Sequence, residues 1–250
     1  MIFQDHFSAQ ATSYALSRPH YPQPLFDYLQ DLVGAQAVVW EAGCGSGQAT
    51  ADLATRFARV YATEPSAAAL AHAPQIDRVS YANETAENTQ LSDASVDLIV
   101  VAQALHWFDQ PAFFAECERV LRPGGVLAVW SYQDFHPPAE IAAACCGFRD
   151  RIASYWPSQR TLVDQGYADT DWPFEAIDVP SFAMMVDWEL GQLIGYLSSF
   201  SAVVRCAKQT GSDPVMAFVD QFAAQWGDAH ASKRIRWPLK LHCRRRPGEH

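Results

Sequence analysis

The sequence predicts an α/β fold: a doubly wound, mostly parallel seven-stranded sheet within a single domain. Three observations carry that expectation. Apolar strand-like runs alternate with helical segments five times between 38 and 131, the pattern of a parallel sheet whose crossovers are helices. The run Val96-Asp97-Leu98-Ile99-Val100-Val101-Ala102 is almost continuously apolar, as suits a strand covered on both faces. The run Val38-Val39-Trp40 passes through Glu41 into Gly43-Cys44-Gly45-Ser46-Gly47 and then Gln48 to Ala54. That is a strand, a glycine loop and a helix start, the place where such sheets hold a ligand.

Residues 1–34 form an N-terminal cap ahead of the first strand. A short helical segment ends across Tyr14 to Pro22, and a second runs from Pro24 to Val33 with Leu25, Leu29 and Leu32 on one face. The core is expected over 35–131. Its second strand is Val60-Tyr61-Ala62-Thr63, followed by Glu64-Pro65-Ser66 with Ser66 as helix N-cap. A third strand is expected at Val79 to Ala82. A helix from Pro111 to Leu121 stops at Arg122-Pro123-Gly124-Gly125, and the fifth strand is Val126 to Trp130. Beyond it lies a helical, acceptor-binding region over 132–230. Helices are expected at 139–156, 190–209 and 213–226, a sixth strand at Phe182 to Trp188, a loop over 157–180, and a final strand at about 235–243. Right-handed crossovers bring the loops at 43–48, 64–66, 85–87 and 102–107 to one rim.

Composition narrows the function. With 49% hydrophobic residues and a formal charge of −10, the chain has material for a full core and no general nucleic-acid surface. The six cysteines form no C-x-x-C pair or zinc-like pattern with histidine, so no metal is expected. No apolar run approaches the roughly 18–20 residues that span a bilayer, and the first residues lack a signal-peptide pattern. The expectation is a soluble cytoplasmic protein without membrane or nucleic-acid partners. Oligomeric state is not legible.

A glycine loop after a parallel strand suits three ligand types. A P-loop needs Lys after its last glycine, and Gln48 follows Gly47. A dinucleotide loop places its third glycine one position later, where this chain has Gln48. Glu64, at the end of the second strand, suits a ribose in either remaining case. The pattern Glu41-x-Gly43-x-Gly45-x-Gly47 resembles motif I of class I S-adenosylmethionine-dependent methyltransferases. Asp97-Leu98-Ile99, Ala102-Gln103-Ala104-Leu105-His106-Trp107-Phe108-Asp109 and Arg119-Val120-Leu121-Arg122-Pro123-Gly124-Gly125 resemble the type 11 group of these enzymes. Tyr14 to Pro22, with Trp188 and Tyr196 to Ser201, resembles its trans-aconitate methyltransferase-like branch.

The resemblance covers nearly the whole chain and implies a Rossmann-like fold with S-adenosylmethionine as cofactor. It implies that Gly43, Gly45 and Gly47 lie against the methionine part, with Glu41 holding the ammonium or orienting the loop. Glu64, with Pro65 beside it, falls on the ribose, and Thr85, Ala86 and Glu87 fall against adenine. Many relatives have Asp at the position of Thr85, and Glu87 is the candidate to replace it. Gln103 meets the methionine amine through its backbone, Tyr14 and Arg18 close over the carboxylate, and Trp107 forms pocket wall.

Methyl transfer is an in-line displacement at a carbon already activated by positive sulfur, so alignment in a dry pocket is the main requirement. A base is needed only where the acceptor must lose a proton, and His106 is the candidate. Tyr132, Trp172, Tyr196, Ser199 and Ser201 are candidates for the acceptor pocket, and Arg205 or Lys208 for the counter-charge of a carboxylate. The expected function is transfer to a small-molecule acceptor. The alternatives are a methyltransferase acting on RNA or protein, and a cofactor-binding protein without catalysis.

Overall fold

The computed structural model of the chain describes residues 19–248. The helical segment expected ahead of Pro22, with Tyr14 and Arg18, lies outside them apart from its last four residues. Five strands, β1 (Val38–Ala42), β2 (Arg59–Thr63), β3 (Val79–Ala82), β4 (Val96–Ala102) and β5 (Leu121–Tyr132), pair in parallel in the order β3-β2-β1-β4-β5. The order reverses between β1 and β4. A crevice therefore opens there at the carboxyl ends of the strands.

The last strand, β8 (Lys233–Arg245), runs antiparallel to β5, with Val129 opposite His242 and Tyr132 opposite Leu239. Its other edge carries two strands laid end to end. β7 (Phe182–Trp188) pairs with Lys233–Leu239, and β6 (Glu175–Ile177) pairs with Cys243–Arg245. The sheet thus has eight strands in seven positions, a correction to the seven expected. The seventh position is interrupted at Asp178–Ser181, where Pro180 has no N–H to give a ladder. β6 and the short helix α6 (Arg160–Asp164) both fall in the stretch expected to be loop.

Each sheet face is covered. On one side lie α1 (Gln23–Val33) and α2 (Thr50–Arg56), followed by α5 (Ala142–Ile152), α7 (Leu190–Ser198), α8 (Ser201–Thr210) and α9 (Val219–Trp226). α1 buries Leu25, Phe26 and Leu29, and Phe26 meets Trp130 of β5 edge to face at 6.2 Å. On the other side α4 (Gln110–Val120) buries Phe113, Phe114, Cys117 and Val120 against β1, β4 and β5, and α6 joins that layer through Val163. The helix expected over 190–209 is two. Ser199 turns back on Tyr196, its N–H and its Oγ both donating to that carbonyl (3.0 and 2.6 Å), and Phe200 is extended. Among the described residues no helix is long and apolar enough to cross a membrane.

Candidate functional site

The glycine loop leaves β1 and doubles back onto β2. Gly43 N and Cys44 N both donate to the Thr63 carbonyl, at 2.8 and 3.0 Å. Gly43 has φ 70°, and a Cβ there would stand 2.9 Å from Ala104 Cβ and 3.0 Å from Phe108 Cζ. That glycine lets the loop close against the segment after β4. Gly45 differs: at φ 57° its missing Cβ would meet nothing within 4 Å. Its bare face is what a ligand lying along the loop requires. Gly47, pressed against Pro74, completes the turn.

Two carboxylates flank this loop. Glu64 accepts from Gly45 N through Oε2 and from Ser66 N through Oε1, both at 3.0 Å, so one side chain ties the loop to the start of α3 (Ala67–Leu70). Ser66 caps that turn, its Oγ accepting from Ala69 N at 3.2 Å. A carboxylate only accepts, which is the group type that a pair of ribose hydroxyls calls for. Glu41 is 1% exposed; its Oε2 accepts from Thr50 Oγ1 at 2.5 Å while Oε1, sealed from solvent, has no partner. Burial pushes the Glu41 carboxyl up to about 8, and the Glu64 charge adds to the effect. An acid so placed is stabilised in its ionised form by a nearby cation. The pair therefore suits a positively charged ligand and disfavours a pyrophosphate.

The loop after β3 forms a further wall. Asn83 Nδ2 donates to the Glu64 carbonyl at 2.9 Å, Thr85 is exposed and bridges to Asn88, and Ala86 is buried. Glu87 Oε1 accepts from Asp109 N at 2.9 Å, and Asp109 Oδ1 in turn caps α4 through Ala112 N. Glu87 thus joins the β3 loop to the start of α4. Pro65 is half-buried between Glu64 and Ser66.

At the end of β4, Gln103 adopts φ 56°, uncommon for a residue with a Cβ and a form of local strain that clusters at functional sites. Its side-chain amide grips the end of β5: Nε2 donates to the Tyr132 carbonyl at 3.1 Å and Tyr132 N donates to Oε1 at 2.8 Å. A 3-10 turn, Leu105–Trp107, follows. It sets His106 and Trp107 side by side with ring centroids 4.7 Å apart. His106 Nδ1 lies 3.2 Å from the Tyr167 hydroxyl. Burial pushes the His106 imidazole down to about 4, and the Arg160 guanidinium reinforces the shift.

Glu41, Gly43, Gly45, Gly47, Glu64, Pro65, Thr85, Ala86, Glu87, Gln103, His106, Trp107 and Tyr132 are all brought to the rim of β1–β5. The remaining candidates sit elsewhere. Trp172 stacks on His242 of β8 at 4.9 Å and lies under the Arg244 guanidinium. Tyr196 is 3% exposed, accepts from Trp237 Nε1 at 2.9 Å and packs among Phe135, Trp188, Phe200 and Trp237. Ser199 belongs to the break between α7 and α8, Ser201 opens α8, and Arg205 is half-buried on α8. Lys208 is exposed there.

Tyr167 is absent from the sequence-based set. It is positioned by the end of α6, where Gly166 N donates to Val163 O and Tyr167 N to Leu162 O. This is a Schellman turn with Gly166 at its left-handed position. The signal for it was Gly166 after Arg160 to Gln165, a helix stop inside a stretch too short to show periodicity.

The family profile described as a methyltransferase domain matches residues 40–129. A provisionally named methyltransferase of Dictyostelium discoideum is 32% identical over 216 residues, spanning 84% of this chain and 82% of that protein. An uncharacterized methyltransferase of Mycobacterium bovis is 38% identical over 133 residues, 51% of this chain and 53% of that protein. The solved structure of a provisionally named type II methyltransferase from Anaeromyxobacter dehalogenans superposes with a TM-score of 0.87 at 36% identity, covering 93% of this chain and 99% of the other.

Proposed function

The chain belongs to the class I S-adenosylmethionine-dependent methyltransferases, and we propose that it methylates a small molecule through a carboxylate oxygen. The residues present fit the cofactor. Glu64 offers negative charge beside the loop, Glu41, buried with an unpartnered oxygen, is an acid that a cation would ionise, and the bare face of Gly45 leaves room for a ligand along it. When bound, S-adenosylmethionine supplies a methyl carbon on a positively charged sulfur. In this reading Glu64 holds the ribose hydroxyls, and Gly43, Gly45, Gly47 and the Gln103 backbone hold the methionine part with Glu41 behind them. Pro65, Thr85, Ala86 and Glu87 border the adenine, Trp107 closes the pocket, and Tyr14 and Arg18 meet the methionine carboxylate.

The acceptor reading is carried by His106. It is the side chain proposed as a base, and its surroundings hold the imidazole neutral and weakly basic. A phenol or ammonium acceptor must lose a proton on the way to product, whereas a carboxylate is ionised at neutral pH and requires only alignment. Alignment is worth roughly 7–11 kcal/mol of barrier. Arg205, half-buried on α8 and with no side-chain hydrogen bond or ion pair to any described residue, is the proposed counter-charge. Of the residues expected around the acceptor, Tyr132 at the rim is assigned to the pocket and Ser201 at the start of α8 to its border, while Trp172, Tyr196 and Ser199 are given no acceptor contact because they sit away from the rim. The charge of −10 supports a small acceptor rather than RNA, in a cytoplasmic setting.

Methyl-tritiated cofactor, incubated with mixed small acids, phenols and amines, tests this. Label in a base-labile ester is the expected outcome. Label confined to phenols or amines rejects the carboxylate. Calorimetric binding of the cofactor without transfer to any acceptor rejects catalysis.

A further inference from the structure

The pair formed by His106 and Tyr167 has a defined polarity. Tyr167 is 1% exposed; its hydroxyl lies 3.2 Å from His106 Nδ1, and the His106 backbone N–H also acts on the phenol oxygen, so the phenol proton is the one that needs an acceptor. A phenol has one proton to donate, and burying it unpaired costs free energy that a neighbouring acceptor removes. If Nδ1 carried the hydrogen, the phenol would accept it and its own proton would be left without a partner. The favoured arrangement has the phenol donating to Nδ1, which leaves the imidazole hydrogen on Nε2. Nε2 makes no hydrogen bond to any described residue and is not sealed from solvent. Its hydrogen is therefore the one the imidazole has left to offer a group outside the protein.

The backbone supports a dedicated role for Tyr167. Gly166 and Tyr167 both take positive φ, 59° and 58°, and the second is a bulky residue for which that region is unfavourable. Such strain persists where surrounding structure holds it. Here the holding contacts are the α6 Schellman turn and a 2.8 Å hydrogen bond between His242 Nε2 and the Gly166 carbonyl.

We infer that Tyr167 is a positioning residue that locks His106 in its Nε2–H tautomer, so that His106 offers a neutral hydrogen-bond donor to an oxygen of the methyl acceptor. The inference rests on the small-molecule acceptor reading for what Nε2–H meets, but the tautomer itself does not. The donor holds an acceptor oxygen in line, and no proton moves to or from the imidazole. Burial and the Arg160 guanidinium keep the ring neutral through the ordinary working range.

Two-bond proton–nitrogen correlation spectra of protein labelled with nitrogen-15 in histidine read the tautomer directly. The His106 signals are identified by their loss in His106→Gln. Wild type is expected to show a protonated Nε2 and a bare Nδ1 from pH 6 to 8. Tyr167→Phe, which keeps the ring and its backbone preference, is expected to move both nitrogens toward a tautomer mixture. A protonated Nδ1 in wild type, or a spectrum unchanged by Tyr167→Phe, overturns the inference. With whichever acceptor the transfer screen yields, His106→Ala is expected to lower kcat roughly tenfold or more. His106→Gln, which retains an N–H of similar reach, is expected to recover most of that loss. Equal loss in the two variants overturns the donor role. Failure of every acid as acceptor, with the tautomer as expected, counts against the carboxylate reading alone.

Discussion

Replacing Glu41 with Gln keeps the shape of the side chain and removes its ability to ionise beneath the glycine loop. A carboxyl held near 8 rather than 4.5 carries a penalty on its ionised form of up to roughly 5 kcal/mol, since each tenfold change in acidity is about 1.4 kcal/mol. The sign follows from linkage. The folded-state pKa lies above the unfolded one, so the native state of the cofactor-free protein holds the extra proton. The stability associated with that proton is complete below about pH 4.5 and is lost as pH rises through about 8. Glu41→Gln has no such dependence. Urea unfolding of both proteins without cofactor is therefore expected to give a stability difference that shifts in favour of the variant by about 3 kcal/mol between pH 5.5 and 8.5. Taking the difference removes the titrations common to both chains. A difference independent of pH would refute the assignment of a raised acidity to Glu41. Binding of S-adenosylhomocysteine, whose ammonium favours the ionised acid, is further expected to release close to one proton near pH 7. That release is measured from the buffer dependence of the binding enthalpy, and Glu41→Gln should lose it.

Gly45→Ala places a methyl group in open space at φ 57°, so unfolding should register only the roughly 1–2 kcal/mol of a left-handed alanine, while calorimetry shows at least a tenfold loss of cofactor affinity. Glu64→Ala removes the acceptor shared by Gly45 N and Ser66 N together with the proposed ribose contact; adenosine-containing ligands should weaken by about tenfold to a hundredfold. Arg205→Ala is expected to raise KM for the acid acceptor about tenfold with little change in kcat, measured at saturating cofactor. Unchanged acceptor affinity would remove Arg205 from the site.

The five-stranded half of the sheet was legible because its strands are continuous apolar runs punctuated by glycine, proline and capping residues. Val96–Ala102 is recognisable by its almost unbroken apolar run, and the Gly43–Gly47 loop by its glycine spacing directly after a strand. The second half was less so. Apolar periodicity runs unbroken through Ser199–Phe200, and the break between α7 and α8 is made by two hydrogen bonds from Ser199 to the Tyr196 carbonyl and by the extended Phe200. The split of the outer strand into β6 and β7 is visible only once β8 supplies an edge longer than either. Within the site, residues sharing a loop with a motif were found by position. Tyr167, 61 residues from the His106 it touches, carries no local pattern that points to its partner. The role of Glu87 was obscured for a similar reason, since its contact with Asp109 depends on how the β3 loop meets α4. Trp172 has the character of a pocket residue by type, and its stacking on His242 is a property of the strand pairing that places β8 beside β5.

In the proposed reaction the chain aligns an already ionised oxygen with the methyl donor and needs no base. The most direct test is single-turnover methyl transfer to a small carboxylic acid, at saturating cofactor and acceptor, from pH 6 to 9. A rate flat across that range is expected, because the acid stays ionised and the His106 imidazole, held near 4, stays neutral throughout. A rate that climbs tenfold per pH unit, or follows a single ionisation near neutrality, would mean that a proton must leave before or during transfer, and would contradict the proposed reaction.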